Sequence, residues 1–195
     1  MRGHVAFTDD VPVLVDADLS GAELSGSILI GTDLSASELS GANLEGADMD
    51  QAVLLDTGLS GTRPLALLNC PAQLPQSWAC VVLPLSGRFV LAGPGTDLSG
   101  PADLQQADFS GLALSGARFV NVLLQDADFS GADLTGANLT GANVGRVNFT
   151  DADLSGADLT ALFALNADFT GVQLSDETIC PDGRLQSDFV GCGLL

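Results

Sequence analysis

The sequence predicts an all-β solenoid in which four short strands make each turn of a coil, and three observations carry that prediction. From Ala127 to Gly145 the chain reads ADFSG ADLTG ANLTG ANVG: every fifth residue is Phe, Leu or Val, Ala stands two before it, and Asp or Asn just before it. A period of five fits neither helix nor strand, since neither would gather those apolar centres on one side. Units of this kind bury their apolar residues only by stacking on copies of themselves. The second observation is a longer period. The centres at 109, 129, 149 and 169 are all Phe, 20 residues apart, so one turn holds four units and these rings form a ladder inside it. The third is composition. With 46% hydrophobic residues and a mean hydropathy of +0.34, the chain has the apolar content to fold despite a net charge of −19. Disordered chains combine high charge with low hydropathy, and the second half of that signature is missing.

Taken in order, residues 1–11 carry no repeat and are expected to be a lead-in that caps the first turn, whose edge would otherwise expose unpaired backbone groups. Residues 12–61 form a first array with centres from Leu14 to Leu59, including Met49. From 62 to 96 the pattern stops. This stretch holds CPAQLPQSWAC and VVLPLSGRFVLAGPG, with the only Trp, Trp78. Proline removes ladder donors and glycine permits turns, so the segment should leave the wall and return. Its apolar content places Trp78 and Val81 to Leu85 against the side of the solenoid. A second array, 97–176, re-enters at Thr96-Asp97-Leu98, absorbs an extra residue at Pro101 and continues to Leu174. Within it Ala164 stands at a large centre and Leu162 beside it at a small position, a swap that keeps core volume roughly constant. Residues 177–195 break the repeat again and are expected to fold over the last turn.

With the A(D/N)LXX unit in view, the chain resembles the pentapeptide-repeat family. The resemblance implies a right-handed, four-sided β-helix. The interruption CPxxLPxxWxC, the GPG that leads out of it, and the TICPDG ending are similar to those of exported bacterial members.

Four cysteines fall into two local pairs, Cys70 with Cys80 and Cys180 with Cys192. Their spacing does not match a zinc site, and the single His4 cannot complete one. Disulfides are the preferred reading and favour an oxidising compartment; four unpaired thiols are the alternative. No apolar run approaches the roughly 18–20 residues that span a bilayer. Residues 1–15 lack a signal-peptide layout, so an exported protein, whether periplasmic, surface-bound or secreted, would have had its signal removed. Reduced cysteines or a gyrase partner would instead place it in the cytoplasm.

The acids sit at the outward position before each centre, from Asp18 and Asp33 to Asp158 and Asp168. An acidic outer wall excludes nucleic acid and acidic membrane as direct ligands. Carboxylates abound, yet no His, cleft or aromatic platform singles out a glycosidase-like pair. The GGxGxD pattern of calcium β-rolls is absent. The hydroxyls that follow each centre have no base and are expected to bond corner carbonyls and amides. The sequons Asn138-Leu-Thr140 and Asn148-Phe-Thr150 are by-products of the repeat. No catalytic, cofactor or metal site is expected.

Two functional readings follow. The first is a non-catalytic scaffold or protein-interaction module, with a homodimer among its possible partners. Its candidate surface is the face where Asp103, Leu123, Asn143 and Phe163 stand at one outward position, two of them apolar, with Leu165 beside Phe163 if that side chain also points out. The excursion or the tail would cover this strip if it is intramolecular. The second reading comes from the resemblance, since some family members mimic duplex DNA and bind DNA gyrase. The two arrays would stand about 31 Å tall at strand spacing. The net charge spread along that height is about one per 1.7 Å, near the duplex value.

Overall fold

A computed structural model gives the fold, described for residues 13–100, 102–186 and Cys192. The lead-in of residues 1–11 lies outside the described residues, as does most of the C-terminal segment. Each unit of the repeat makes one wall of a four-sided right-handed β-helix. The residue before each centre forms a parallel bridge to the residue a turn later, giving four ladders. Face 1 runs Val13, Asp33, Val53, Gln73, then Asp108, Asp128, Asn148, Asp168. Face 2 includes Asp18, Glu38 and Gly58, then Ala113, Asp133, Asp153 and Gln173. Face 3 includes Glu23, Asn43 and Arg63, then Asp97, Arg118, Asn138, Asp158 and Ile179; face 4 includes Ile28, Asp48 and Asn69, then Asp103, Leu123, Asn143 and Phe163. The hydrogen bonds are regular: the Leu134 amide donates to Asp153 O at 2.8 Å, and the Asp153 amide to Ala132 O at 3.0 Å.

The corners explain the glycines. At each, the amide three residues after a centre's own position donates to the centre's carbonyl, as Ala22 N does to Leu19 O at 3.0 Å, and the residue in between has positive φ, here Gly21 at 64°. A turn with φ > 0 at its third residue favours Gly or Asn. Yet Asp16, Gln51, Asp126, Arg146 and Asp151 hold the same conformation, with φ between 57° and 62°. The ladders on both sides impose it.

Inside, the centres and the small residues two before them form the core. Phe109, Phe129, Phe149 and Phe169 stack along face 1, with centroids 4.8, 5.4 and 5.1 Å apart and near-parallel planes. Phe119, from the opposite wall, crosses the interior and sets its edge against Phe109 and Phe129, at 5.9 and 5.4 Å. Leu162 is buried and Ala164 packs against the same core.

The excursion departs less from the wall than its sequence suggests. Arg63, Asn69 and Gln73 still bridge to Asn43, Asp48 and Val53. What leaves is a hairpin of β1 (Ala79–Leu83) and β2 (Arg88–Ala92), paired in antiparallel register from Ala79 with Ala92 to Leu83 with Arg88. Phe89 of β2 pairs in turn with Leu67. The hairpin does not lie on the outside of the solenoid: Leu91 packs into the core of the first array, and Val81, Leu83, Val90 and Ala92 into that of the second. The expectation that Val81 to Leu85 pack against the side of the solenoid fails at Val82 and Leu85, which are exposed. The coil itself continues past the insert. Asp97 N donates to Thr62 O, Gly61 N to Gly95 O and Gly95 N to Ser115 O, at 2.7–2.8 Å. Disulfides join Cys70 to Cys80, at the base of the hairpin, and Cys180 to Cys192.

Trp78 lies flat against Gly93, where an added Cβ would fall within clashing distance of the indole. A rigid ring cannot yield as a flexible chain end can. Gly93→Ala is therefore expected to displace Trp78, cost about 1–3 kcal/mol, and red-shift the fluorescence of this single tryptophan. An unshifted spectrum would show the contact to be unimportant.

Candidate interaction surface

The wall acids have a structural task. The Asp18 carboxylate accepts both the amide and the hydroxyl of Ser20, at 3.1 and 2.6 Å. The arrangement repeats at Asp33 with Ser35, Asp108 with Ser110, Asp133 with Thr135 and Asp158 with Thr160. Asn148 does the same for Thr150, and Asn138 Oδ1 accepts the Thr140 amide, so both sequon asparagines are engaged in the wall. This corrects the expected role of the hydroxyls after each centre: their partner is the preceding carboxylate. Corner carbonyls are met instead by Ser37 and Thr62, each three residues after its centre, which donate to Leu34 O and Leu59 O. An extended strand points the residues before and after the centre to the same outer side, which is why they meet.

These bonds lower the carboxyl pKa values. The Ser20, Ser35, Ser40 and Ser110 hydroxyls, helped by their amides, hold Asp18, Asp33, Glu38 and Asp108 below the usual carboxylate range. Thr170 does so for Asp168, and the Arg146 guanidinium for Asp126. A carboxyl with a depressed folded pKa lends its stability in full above the unfolded value, about pH 4, and loses it as pH falls through the folded value. Acidification is thus expected to lower the thermal midpoint below about pH 4. A midpoint that rises there, as relief of self-repulsion would produce, would contradict this.

Among the described residues, no group of three or more His, Cys, Asp or Glu side chains is placed to hold a metal ion, and no helix is long and apolar enough to cross a membrane. The cysteines are consumed in disulfides. Phe109, Phe129, Phe149 and Phe169 lie inside and are closed to a ligand.

Face 4 carries exposed apolar side chains in the second array, as face 1 does at Val13, Val15 and Leu55 in the first. Leu123 is 40% exposed, Phe163 57% and Leu165 61%, Leu123 one layer before Asn143 and the other two one layer after it. No described residue of the excursion or of the C-terminal segment covers them. Between them Gly145 offers only backbone, with Gln125 lying across the gap: a Cβ there would sit 3.5 Å from Gln125 Cγ. The one carboxylate at the neighbouring corner, Asp126, is neutralised by a two-pronged bond from Arg146, both contacts at 2.6 Å. The surface is thus apolar and locally uncharged on a strongly acidic rod. Sequence reasoning missed two further members of the same face, Ile28 and Ile30, exposed at 75% and 47% near its other end. Their signal was available, because Ile28 replaces the usual acid just as Leu123 and Phe163 do.

Pentapeptide units, four walls to a turn and inward apolar centres define a β-helical repeat protein. The family model for pentapeptide repeats matches eight copies, in residues 16–54, 102–141 and 148–176, which is more than half of the chain. The chain belongs to the pentapeptide repeat family. Among solved structures it is similar to HetL, a pentapeptide repeat protein involved in heterocyst differentiation regulation from the cyanobacterium Nostoc sp., at 24% identity, covering 91% of this chain and 78% of that one, with a TM-score of 0.37. A trypsin-treated form of QnrB1, a plasmid-mediated fluoroquinolone resistance protein, is 19% identical over 83% of this chain and 79% of its own, with a TM-score of 0.34. A pentapeptide repeat protein from the Arabidopsis thaliana thylakoid lumen is 26% identical over 73% and 68%, with a TM-score of 0.24. Among curated proteins, no sequence matches.

Proposed function

We propose that this protein is a non-catalytic interaction module whose rigid acidic rod holds a docking surface on face 4, centred on Leu123, Phe163 and Leu165. The observation that carries the reading is the outward exposure of these three side chains at positions where most units of the second array carry Asp, Asn, Ser or Thr. Contiguous exposed apolar side chains rimmed by polar ones mark interaction sites. The two disulfides support export to an oxidising compartment. Net charge alone supports the alternative of a gyrase-directed duplex mimic. Against it, Arg63, Arg118 and Arg146 break the acidic wall, and the hairpin interrupts it between the arrays.

Leu123→Asp combined with Phe163→Asp is expected to lower capture of a partner from native extract at least about tenfold. The melting transition should hardly move, because surface changes of this kind cost about 0.5 kcal/mol or less. Undiminished capture by the double variant would remove face 4 as the functional surface.

A further inference from the structure

We propose that the partner docking on face 4 is a protein surface with an apolar centre and a lysine- or arginine-rich border on one side only, seated so that this border lies over face 1. The inference rests on the reading of Leu123, Phe163 and Leu165 as the docking site, and it adds the chemistry of what docks there.

Size gives the first constraint. Leu123 and Phe163 are two bridges apart in one ladder, about 10 Å at strand spacing. A stable complex buries about 800 Å² on each partner, far more than such a strip supplies, so contact must spill over the edges of face 4.

The two edges are unlike. Toward face 3 the corners hold Asn121, Gly141 and Ala161. Beyond them stand Arg118, which meets Asp97 at 3.7 Å, then Asn138 and Asp158. Toward face 1, past the neutral Asp126–Arg146 pair, the ladder presents Asp128, Asn148 and Asp168. Among the described residues no arginine lies within salt-bridge distance of Asp128 or Asp168. The Thr170 hydroxyl and amide also keep Asp168 ionised into the acid range. An apolar contact that widens across this edge meets carboxylates that are hydrogen-bonded to the wall but have no cationic partner, and a cationic border complements them. Complementary charge of this kind steers encounter and suppresses wrong partners.

A second copy of the chain packed antiparallel on face 4 fits poorly. Setting Leu123 against Phe163 of another copy needs a two-fold axis perpendicular to the rod. That axis lays face 1 beside face 1 and brings Asp128 up to Asp168 of the second copy. Like charges then line the edge where the contact must grow.

The test uses the full chain and three short synthetic helical peptides, followed by fluorescence anisotropy at low and high salt. One peptide carries a Leu/Phe stripe bordered on one side by Lys, one has Glu in place of Lys, and one has Ser in place of Leu and Phe. The Lys-bordered peptide should bind saturably and more tightly at low salt. Phe163→Ser with Leu165→Ser should weaken it at least about tenfold. Asp128→Asn with Asp168→Asn should weaken it and remove most of the salt dependence. Asparagine keeps the wall bond, as Asn148 shows with Thr150. Asp133→Asn with Asp153→Asn, on face 2, should do neither. If the Glu-bordered peptide binds equally well, or the face 2 pair matters as much as the face 1 pair, the cationic border is overturned while the docking surface stands. Binding indifferent to Phe163→Ser with Leu165→Ser overturns the docking surface itself. A dimer in solution that Phe163→Ser dissociates replaces the proposal with self-association. Absence of saturable binding by any of the peptides overturns it outright.

Discussion

Phe129→Ala is expected to destabilise the protein by about 3–5 kcal/mol, the usual cost of emptying a buried aromatic site. Phe129 is fully buried, stacked between Phe109 and Phe149 at 4.8 and 5.4 Å, and receives the edge of Phe119 at 5.4 Å. Its removal breaks three aromatic contacts at once. The surrounding ladders run through backbone hydrogen bonds on every face, so the walls cannot close in to fill the void. In a solenoid each turn is held only by its neighbours, and the loss should fall on the middle of the second array. Equilibrium unfolding in urea measures it. A loss under about 1 kcal/mol would mean that the interior collapses around the gap more freely than close-packed walls permit.

The second large effect concerns the cross-links. Replacing Cys70 and Cys80 together by Ser should cost about 3 kcal/mol in the chain-entropy view of disulfides, given a sequence separation of 10. Replacing Cys180 and Cys192, separated by 12, should cost about the same. The two losses should differ in place. Cys80 lies in β1 next to Trp78, which packs on the first array's core, so the first pair should alter tryptophan fluorescence before global unfolding. The second pair closes a loop at the far end of the rod, where Thr178 and Cys180 are buried, and should leave that signal alone. Identical fluorescence transitions in both variants would show that the hairpin and the C-terminal end unfold as one unit.

Much of this architecture was legible from period alone. Once units of five are grouped by four, the ladder of any residue follows, and with it which side chains stack and which point out. That is why Phe109 and Phe129 share a column, and why Leu123 and Phe163 share a face. Contacts across the interior were harder to see. Phe119 belongs to the wall opposite the ladder, and only the width of the coil decides whether its ring reaches Phe129. The hairpin hid for a different reason. Leu91 and Val90 look like strand residues of no particular address, and their burial depends on Phe89 pairing with Leu67, a contact between segments that share no repeat. The role of the wall acids was understated because solvation and a local bond to Ser or Thr demand the same residue types. Ile28 went unnoticed although the same rule would have found it.

The unbroken hydrogen bonding past the hairpin has a further consequence. Because Asp97 continues the ladder directly above Thr62, the first and second arrays form one shaft, and the same face carries Ile28 and Ile30 near one end and Phe163 and Leu165 near the other. Along face 3 six strand spacings run from Glu23 to Asp158, about 29 Å, whereas on face 4 the hairpin pairs onto Leu67 between the two arrays. Two apolar contacts at the ends of one face make the protein a ruler: a single partner could hold both only if its own contacts are spaced to match.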